Sequence, residues 1–314
     1  MTPARIVVAL SHRLGAVLPV TVARLLQDGA ALHADTDVPA ELARQCGASP
    51  VGDAMQGLLL TWDLGTGIAA RWVAAGATVL ATPEPPGAAL LDAVVVMDRL
   101  RSPGGCPWDA EQTHSSLMTY LIEETYELYQ ALEDGDTDAL REELGDVLLQ
   151  VLFHARVAQE DPQGFDIDVV ATELVTKLVG RHPHVFAGSE EVHTAADQEI
   201  RWEQLKRTEK RRESSVDGVA LAQPAVALAA KLASRAARAA LPEDLLPGAG
   251  SGTGGSLFAL SAGAKLVGED PEAALRCVAL RFADDVRAAE RSARAAGLDV
   301  GSLTPQQWRE HWPG

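Results

Sequence analysis

Cysteine is scarce in this sequence. Three cysteines occur among 314 residues, at Cys46, Cys106 and Cys277, and no two of them form a Cys-x-x-Cys pair. This spacing argues against a disulfide framework and against a cysteine-based zinc site. We therefore expect the chain to work in a reducing compartment, the cytoplasm.

Positive charge and long apolar runs are also rare. Lys and Arg together number 27 against 44 Asp and Glu, which gives a net charge of −17. This balance excludes a broad electrostatic footprint for nucleic acid, so we expect no nucleic-acid partner. No apolar run approaches the roughly 18 residues of a membrane helix, and the first residues make a poor signal peptide. We expect a soluble chain with no membrane partner.

The overall composition, with 47% hydrophobic and 23% charged residues, is typical of a globular protein. A chain of this length suffices for two or three domains with their own cores. Near the start, the apolar runs 6–10, 58–62 and 77–81 are bounded by Gly, Pro and Asp. Such runs predict buried strands, and the segment 39–46 between them predicts a helix.

Residues 1–87 are thus predicted to form a small α/β module that ends in a Pro-rich linker, residues 82–87. The module carries no motif that connects it with an enzyme activity, and its role is unknown. A structural or regulatory role is favoured.

Acidic residues are concentrated on both sides of Gly135, which lies in an Asp-Gly-Asp turn between two runs with helical spacing. Glu127 and Glu143 lie eight residues before and after this glycine, and Glu124 and Asp146 lie eleven residues before and after it. If the runs are antiparallel helices rising about 1.5 Å per residue, both pairs reach matching heights. Four carboxylates are therefore expected to share one small volume.

Helical phase indicates how these acids are oriented. The apolar stripes are Leu117, Leu121, Leu128 and Leu132 in the first run, and Leu140, Leu144, Val147 and Val151 in the second. Glu124 lies on its stripe and is expected to face inward, whereas Glu127 and Glu143 border the stripes. Glu142 points away from the core, as a surface acid does. Asp146 is expected at the mouth of a site.

Such an acidic cluster favours a bound cation. Partly buried carboxylates repel one another and protonate rather than share a dry site, unless a cation neutralises them. Ordinary surface glutamates are the alternative for either pair taken alone, but two pairs at matching heights favour the cation. Ligands that are all oxygens suit a hard divalent ion, Mg²⁺ or Mn²⁺.

Five motifs follow one another in a fixed order: Gly104-Gly-Cys-Pro-Trp-Asp109, Glu123-Glu-Thr-Tyr-Glu127, Glu143-Leu-Gly-Asp146, Arg181-His-Pro-His-Val-Phe186 and Trp202-Glu-Gln-Leu-Lys206. Over about residues 93–210 the chain resembles the MazG-type nucleoside triphosphate pyrophosphohydrolases, of the all-α NTP pyrophosphatase superfamily. The resemblance implies a mainly α protein with a MazG-like helical bundle at residues 88–213. It also implies Mg²⁺ as cofactor, cleavage of nucleoside triphosphates to monophosphate and pyrophosphate, and a homodimer.

Under this interpretation, Glu124, Glu127, Glu143 and Asp146 hold the metal. Glu123 either orients the attacking water or supports the ligands, and both roles stay open.

A third helix is predicted from Ile167, with Ile167, Val170, Leu174, Val175 and Leu178 facing inward. Lys177 and Arg181 lie four residues apart on it. Their spacing alone suits solvated charges equally well, but the resemblance assigns them to phosphate binding. It also assigns Lys206 to phosphate and Trp202 to base or sugar. Trp108 is expected to be a packing anchor rather than a base-stacking residue.

The last hundred residues resemble a faded copy of the preceding ones. A shift of 109 residues places Glu160-Asp-Pro162 on Glu269-Asp-Pro271, but it places Glu143 and Asp146 on Gly252 and Gly255. We expect a degenerate second MazG-like domain at residues 214–314, with a flexible glycine segment, 248–255, in place of the ligands.

The sequence therefore predicts a Mg²⁺-dependent hydrolase of nucleoside triphosphates, possible targets being non-standard or damaged nucleotides. The first alternative is a regulatory protein that binds metal and nucleotide without turnover. A di-iron bundle is the second, but it would require Glu-x-x-His pairs, which the two acidic motifs do not supply.

Overall fold

The computed structural model describes residues 5–15, 17–52, 56–65, 67–188, 194, 213–248, 250 and 252–314. The chain is mainly α with one small parallel sheet, which confirms the predicted fold class. It forms two compact units, residues 1–186 and 187–314. Among the described residues, no helix is long and apolar enough to cross a membrane.

The first unit begins with a five-stranded parallel sheet of order β3-β2-β4-β1-β5. Its strands are β1 Arg5–Ala9, β2 Leu32–Ala34, β3 Ser49–Pro50, β4 Gly57–Thr61 and β5 Thr78–Ala81, and its helices are α1 Val20–Gln27, α2 Ala40–Gln45 and α3 Gly67–Ala74. The strands predicted at 6–10, 58–62 and 77–81 and the helix predicted at 39–46 are confirmed.

Both faces of this sheet are covered, because successive residues of a strand point to opposite sides. Val8 and Leu60 belong to the core on the side of α1 and α2. Val7 and Leu59 pack against Trp72 of α3 on the other side. A continuous apolar run therefore suits these strands.

Polar contacts hold the linker that follows the sheet. Ser11 and Arg13, just after β1, both donate hydrogen bonds to Glu84. Arg13 also pairs with Asp92 at 2.7 Å. Thr82 Oγ1 donates to the carbonyl oxygen of Val17 at 3.2 Å. The linker is thus fixed to the edge of the sheet where it enters the next helix.

The rest of the first unit is helical: α4 Ala89–Arg101, α5 Pro107–Glu111, α6 His114–Asp134, α7 Thr137–Ala158, α8 Ile167–Arg181 and α9 Pro183–Phe186. Helices α6 and α7 form a hairpin. Thr113 and Ser116 form a capping box at the start of α6, and Asp136 caps α7 through the N–H groups of residues 138 and 139. Between the helices, Gly135 has φ 67°, a left-handed conformation that costs glycine little.

A small core joins these helices. Met97 of α4, Leu117 of α6, and Leu152 and Phe153 of α7 are buried together, and Ile167 of α8 packs against them. The hairpin is therefore packed mainly through the half of its length near its open end, where α6 begins and α7 ends.

Several apolar residues that were predicted to face inward are exposed. They are Leu132, Leu144 and Val151 on the hairpin and Leu174, Val175 and Leu178 on α8. The prediction that they belong to the core of the chain is wrong. Periodicity identifies an apolar face of a helix, but it does not tell whether the same chain covers that face.

In the second unit the described helices are α10 Ala225–Arg238, α11 Gly252–Leu266, α12 Pro271–Ala295 and α13 Pro305–His311, with 3₁₀ turns at Glu243–Leu245 and Val300–Ser302. The small residues Ala229, Ala230, Ala233 and Ala262 are buried on α10 and α11. Residues 252–255, predicted to be flexible, form the first turn of α11. The predicted flexible segment thus ends in a helix from residue 252, because small residues allow helices to pack closely, and Gly255 is buried.

Shifted by 109 residues, α6, α7 and α8 would cover residues 223–243, 246–267 and 276–290. Helices α10 and α11 lie within the first two of these ranges, and α12 contains the third. The order of helices in the second unit thus follows that of the first. The boundaries at residues 87 and 213 and the second MazG-like domain stay predictions.

Candidate active site

The acidic residues of the hairpin lie on facing helices. Helix α6 carries Glu124 and Glu127, and helix α7 carries Glu143 and Asp146. One carboxylate oxygen from each of Glu124, Glu127 and Glu143 lies within 4.8 Å of the other two. Within the described residues, these three form the only group of His, Cys, Asp or Glu side chains arranged to hold a metal ion. Glu127 is exposed, whereas Glu124, Glu143 and Asp146 are partly buried.

Asp146 is not one of these three side chains, but its charge acts on two of them. Burial, followed by the charges of Asp146 and Glu127, raises the pKa of Glu124. Burial, followed by the charges of Glu127 and Asp146, raises the pKa of Glu143. The charge of Asp146 therefore raises the pKa of one glutamate on each helix. Ionised together, these acids are destabilised by desolvation and by one another.

The donor set fits a hard divalent cation. It consists of carboxylate oxygens alone, the ligands that Mg²⁺ and Mn²⁺ prefer. Two oxygens that each lie 2.1 Å from one Mg²⁺ are at most about 4.2 Å apart. Three oxygens on one octahedral ion include at least two cis pairs, which are about 3.0 Å apart, so the observed limit of 4.8 Å requires a closure of up to about 1.8 Å. Rotation of the glutamate side chains can supply a closure of this size.

The neighbouring acids are placed differently. Glu123 and Glu142 are exposed. The prediction that Glu142 is a surface acid agrees with this exposure. For Glu123, which precedes a cluster residue directly, exposure is compatible both with contact to an attacking water and with a supporting role.

Trp108 packs where α5 meets the hairpin. Its ring makes edge-to-face contacts with Tyr120 of α6, at 6.0 Å between centroids, and with Phe153 of α7, at 6.4 Å. Half of its surface stays exposed. Trp108 thus forms the packing contact expected of it.

The basic residues predicted to bind phosphate differ in their surroundings. On α8, Lys177 is exposed, whereas Arg181 is buried. Trp202 and Lys206 lie outside the described residues. His182 and His184 lie with their ring centroids 5.7 Å apart, and His182 Nδ1 lies 2.7 Å from the Leu178 carbonyl oxygen. The contact of His182 with Leu178 is typical of a residue that packs the loop after a helix.

Sequence reasoning did not single out Arg101, the last residue of α4. It is 7% exposed, which is unusual for arginine. Its guanidinium forms two hydrogen bonds to Glu160, 59 residues further along the chain. No local pattern in the sequence could reveal a partner at that distance.

Comparison with known proteins identifies two family domains in the chain. Residues 112–186 match the MazG nucleotide pyrophosphohydrolase domain, and residues 5–80 match the MazG N-terminal domain. The first match includes α6 and α7 with all four acids. The second covers the parallel sheet.

Similar proteins extend over most of the chain. A nucleoside triphosphate pyrophosphohydrolase from Mycolicibacterium smegmatis is 47% identical over 259 residues, which cover 77% of this chain and 75% of the relative. Its counterpart from Mycobacterium tuberculosis is 45% identical over 254 residues, covering 77% and 74%. A 26.1 kDa protein from Streptomyces cacaoi is 55% identical over 210 residues, covering 65% and 84%.

Among solved structures, a MazG-related protein from Thermotoga maritima matches at 30% identity with a TM-score of 0.32, covering 37% of this chain and 98% of its own. The identity and coverage of the relatives, together with the matched domains, decide the family. The chain belongs to the MazG family of nucleotide pyrophosphohydrolases.

Proposed function

We propose that this protein hydrolyses nucleoside triphosphates to the monophosphate and pyrophosphate, with Mg²⁺, or alternatively Mn²⁺, held by Glu124, Glu127, Glu143 and Asp146. The observation that carries the proposal is the group of three carboxylate oxygens within 4.8 Å of one another, on facing helices. The names of the mycobacterial relatives support the substrate class and the reaction.

Glu124, Glu127, Glu143 and Asp146 would hold the cation between α6 and α7. The bound ion would supply positive charge that offsets the repulsion among these acids and the negative charge of the triphosphate and of the pyrophosphate leaving group. The oxygen of the attacking water ends on the monophosphate, and the bond between the α-phosphorus and the bridging oxygen breaks. Glu123 either accepts a proton from that water or hydrogen-bonds to the ligands.

Basic residues complete the proposed site. Lys177 is exposed on α8, so its ammonium group can extend toward phosphate oxygens. Arg181 and Lys206 are assigned to the same task, and Trp202 to the base or sugar. Because the net charge is −17, these cations are needed close to the substrate to offset repulsion of a triphosphate.

A homodimer is part of this proposal. Exposed apolar residues occur on the hairpin and on α8, among them Leu144, Val151, Leu174 and Val175. Large exposed apolar faces are costly in water and mark interaction surfaces. A second copy of the chain would cover them.

We further propose a cytoplasmic enzyme that removes non-standard or damaged nucleotides.

A substrate panel tests the function. Purified full-length protein is incubated with Mg²⁺ and canonical, oxidised or deaminated triphosphates, and monophosphate and pyrophosphate are quantified. We expect the two products in equal amounts and a large loss in Glu143→Gln. The matched control, Glu142→Gln, removes the neighbouring exposed charge and should keep the activity.

Three outcomes would contradict the proposal. Release of orthophosphate with a diphosphate would mean that a different bond is cleaved. Tight nucleotide binding without products would favour the regulatory alternative. Equal activity of Glu143→Gln and Glu142→Gln would remove Glu143 from the site.

A further inference from the structure

Arg101 forms a buried connection at the open end of the hairpin. Its side chain is 2% exposed, and its Nε and Nη2 donate to the two carboxylate oxygens of Glu160 at 2.9 and 3.0 Å. The remaining nitrogen, Nη1, donates to the carbonyl oxygens of Asp109 and, at 3.1 Å, Gln112. The guanidinium also lies over the ring of Phe153, 5.4 Å from its centroid. Every nitrogen of the group is thus engaged.

The partners of Arg101 lie where both helices of the hairpin reach its open end. Gln112 immediately precedes Thr113, the N-cap of α6, and Glu160 follows the last residue of α7 by two positions. Arg101 therefore joins the segment before α6 to the segment after α7. At the other end, the tight turn at Gly135 already joins the helices covalently.

The network around Glu160 strengthens this connection. Arg156 Nη1 donates to Glu160 at 3.0 Å, and Arg156 Nε donates to Asp98 of α4 at 2.8 Å. The hydrogen bond from Arg101 lowers the pKa of Glu160 and, together with the charges of Arg101 and Arg156, outweighs the opposite effect of burial, so this carboxylate stays ionised. A bidentate pair whose arginine is buried fixes geometry better than a fully exposed ion pair does.

The acidic group lies midway between these two connections. Glu124 is eleven residues from both Thr113 and Gly135, about 16 Å along the helix from either end. If the open end separates by about 1 Å while the turn stays fixed, the middle separates by about 0.5 Å. Metal–ligand distances tolerate only about 0.2 Å. A small movement at Arg101 therefore changes how far the side chains on the two helices must reach to hold one ion.

We propose that Arg101 is a positioning residue that sets the separation of α6 and α7, and hence the affinity of the acidic group for a divalent cation. This inference rests on the proposed function, because it assumes that the acids bind a metal. Arg101 itself touches neither substrate nor metal; it acts through the carbonyl groups before α6 and through Glu160 after α7.

Near this end, α6 and α7 are also joined directly by the packing of Leu117 on Leu152 and Phe153 and by a polar contact between two histidines. His114 Nδ1 and His154 Nδ1 lie 2.8 Å apart, and burial, followed by the charge of His114, lowers the pKa of His154. These contacts lie within α6 and α7 and leave the segment before α6 and the residue after α7 unconnected. Arg101 supplies that connection.

The test measures binding of Mn²⁺ alone to the full-length protein by calorimetry, and then turnover at increasing metal concentration. In Arg101→Lys, an ammonium group replaces the planar guanidinium and cannot donate hydrogen bonds to both Glu160 oxygens and to both carbonyl oxygens. We expect Mn²⁺ affinity to fall about tenfold, the lower range for loss of a group that orients ligands. Excess metal should restore turnover, because the ligands themselves are intact. Glu160→Gln should show the same defect.

Two controls separate positioning from general stability. Arg44→Lys makes the same chemical change at an exposed ion pair with Glu41 and should keep wild-type affinity. Val8→Ala creates a cavity in the sheet core and lowers the melting temperature without touching the hairpin. Below its melting temperature it should also keep wild-type affinity.

Wild-type Mn²⁺ affinity in Arg101→Lys would overturn the inference, as would an equal loss in Val8→Ala. If Arg101→Lys fails to fold, the Mn²⁺ affinity of Glu160→Gln is compared with that of the wild type and of Val8→Ala in the same way. The Glu160 side chain is 45% exposed and tolerates the isosteric change. Absence of Mn²⁺ binding in the wild type contradicts the proposed metal site itself, and this inference with it.

Discussion

Glu124 should destabilise the folded protein when no metal is present. Its pKa is raised by burial and by the charges of Asp146 and Glu127. The folded chain therefore binds more protons than the unfolded chain above the ordinary glutamate pKa of about 4.3. Consequently, the free energy of unfolding falls as pH rises from about 4 through the folded-state pKa, and above that pKa the loss is complete.

The size of this effect follows from the distances. Two unit charges 4.8 Å apart repel by about 0.9 kcal/mol at the dielectric constant of water and about 3.5 kcal/mol at an effective value of 20. Glu124 has oxygens of Glu127 and Glu143 within this distance, and Asp146 adds a further negative charge nearby. Because the group is partly open to solvent, the lower estimate applies, about 1–2 kcal/mol in total. In Glu124→Gln this repulsion is absent.

At pH 7 with a chelator, Glu124→Gln should therefore melt about 2–8 °C above the wild type, at about 2–4 °C per kcal/mol for a unit of this size. Mg²⁺ at a hundred times its dissociation constant should stabilise the wild type by about 2.7 kcal/mol and the variant much less. The order of the two melting temperatures should thus reverse when Mg²⁺ is added. Near pH 4 without metal, the difference should shrink.

Differential scanning fluorimetry with and without Mg²⁺, at several pH values, measures all of these changes. Glu142→Gln is the control, because it removes one charge from the same acidic protein at an exposed position. If both variants respond to Mg²⁺ and pH equally, the effect is general screening of surface charge. Equal melting of the wild type and Glu124→Gln in chelator would refute the repulsion argument.

Three further predictions concern activity and assembly. Glu127→Gln and Asp146→Asn should each lower the rate of pyrophosphate release by about a hundredfold or more and raise the Mg²⁺ concentration needed for half-maximal rate. The reason is that loss of a ligand has a larger effect than loss of a residue that orients a ligand. A variant with wild-type rate and metal dependence would exclude its residue as a ligand. Combined Glu269→Ala and Asp285→Ala in the full chain should leave turnover unchanged, and loss of turnover at constant melting temperature would show that the second unit takes part in catalysis. Val175→Glu should shift the mass found by light scattering from dimer to monomer, and an unchanged mass would place the interface elsewhere.

The sequence predicted those elements whose patterns are local. The strands β1, β4 and β5 stand out as apolar runs, and the turn at Gly135 follows from Asp-Gly-Asp. The approach of Glu124, Glu127 and Glu143 could be calculated from helical rise alone, because a two-residue connection leaves an antiparallel hairpin little freedom.

Other features could not be predicted, for identifiable reasons. Strand β3, Ser49–Pro50, has two exposed residues and no apolar pattern. The ion pair of Arg101 with Glu160 joins residues 59 positions apart and depends on how α4 packs on α7. Exposure of Leu174 was missed because an apolar stripe looks the same in sequence whether its own chain or another covers it.

The contacts of Arg13 set a condition for exchanging domains. Arg13 reaches past the Pro-rich segment to Asp92, which already belongs to α4. A chimera joined at residue 87 would keep Asp92 and lose its cation, and it would leave the first turn of α4 without its attachment to the sheet. A transplant of the helical region onto another domain should therefore begin after Asp92, or the new domain should present an arginine at the place that Arg13 occupies.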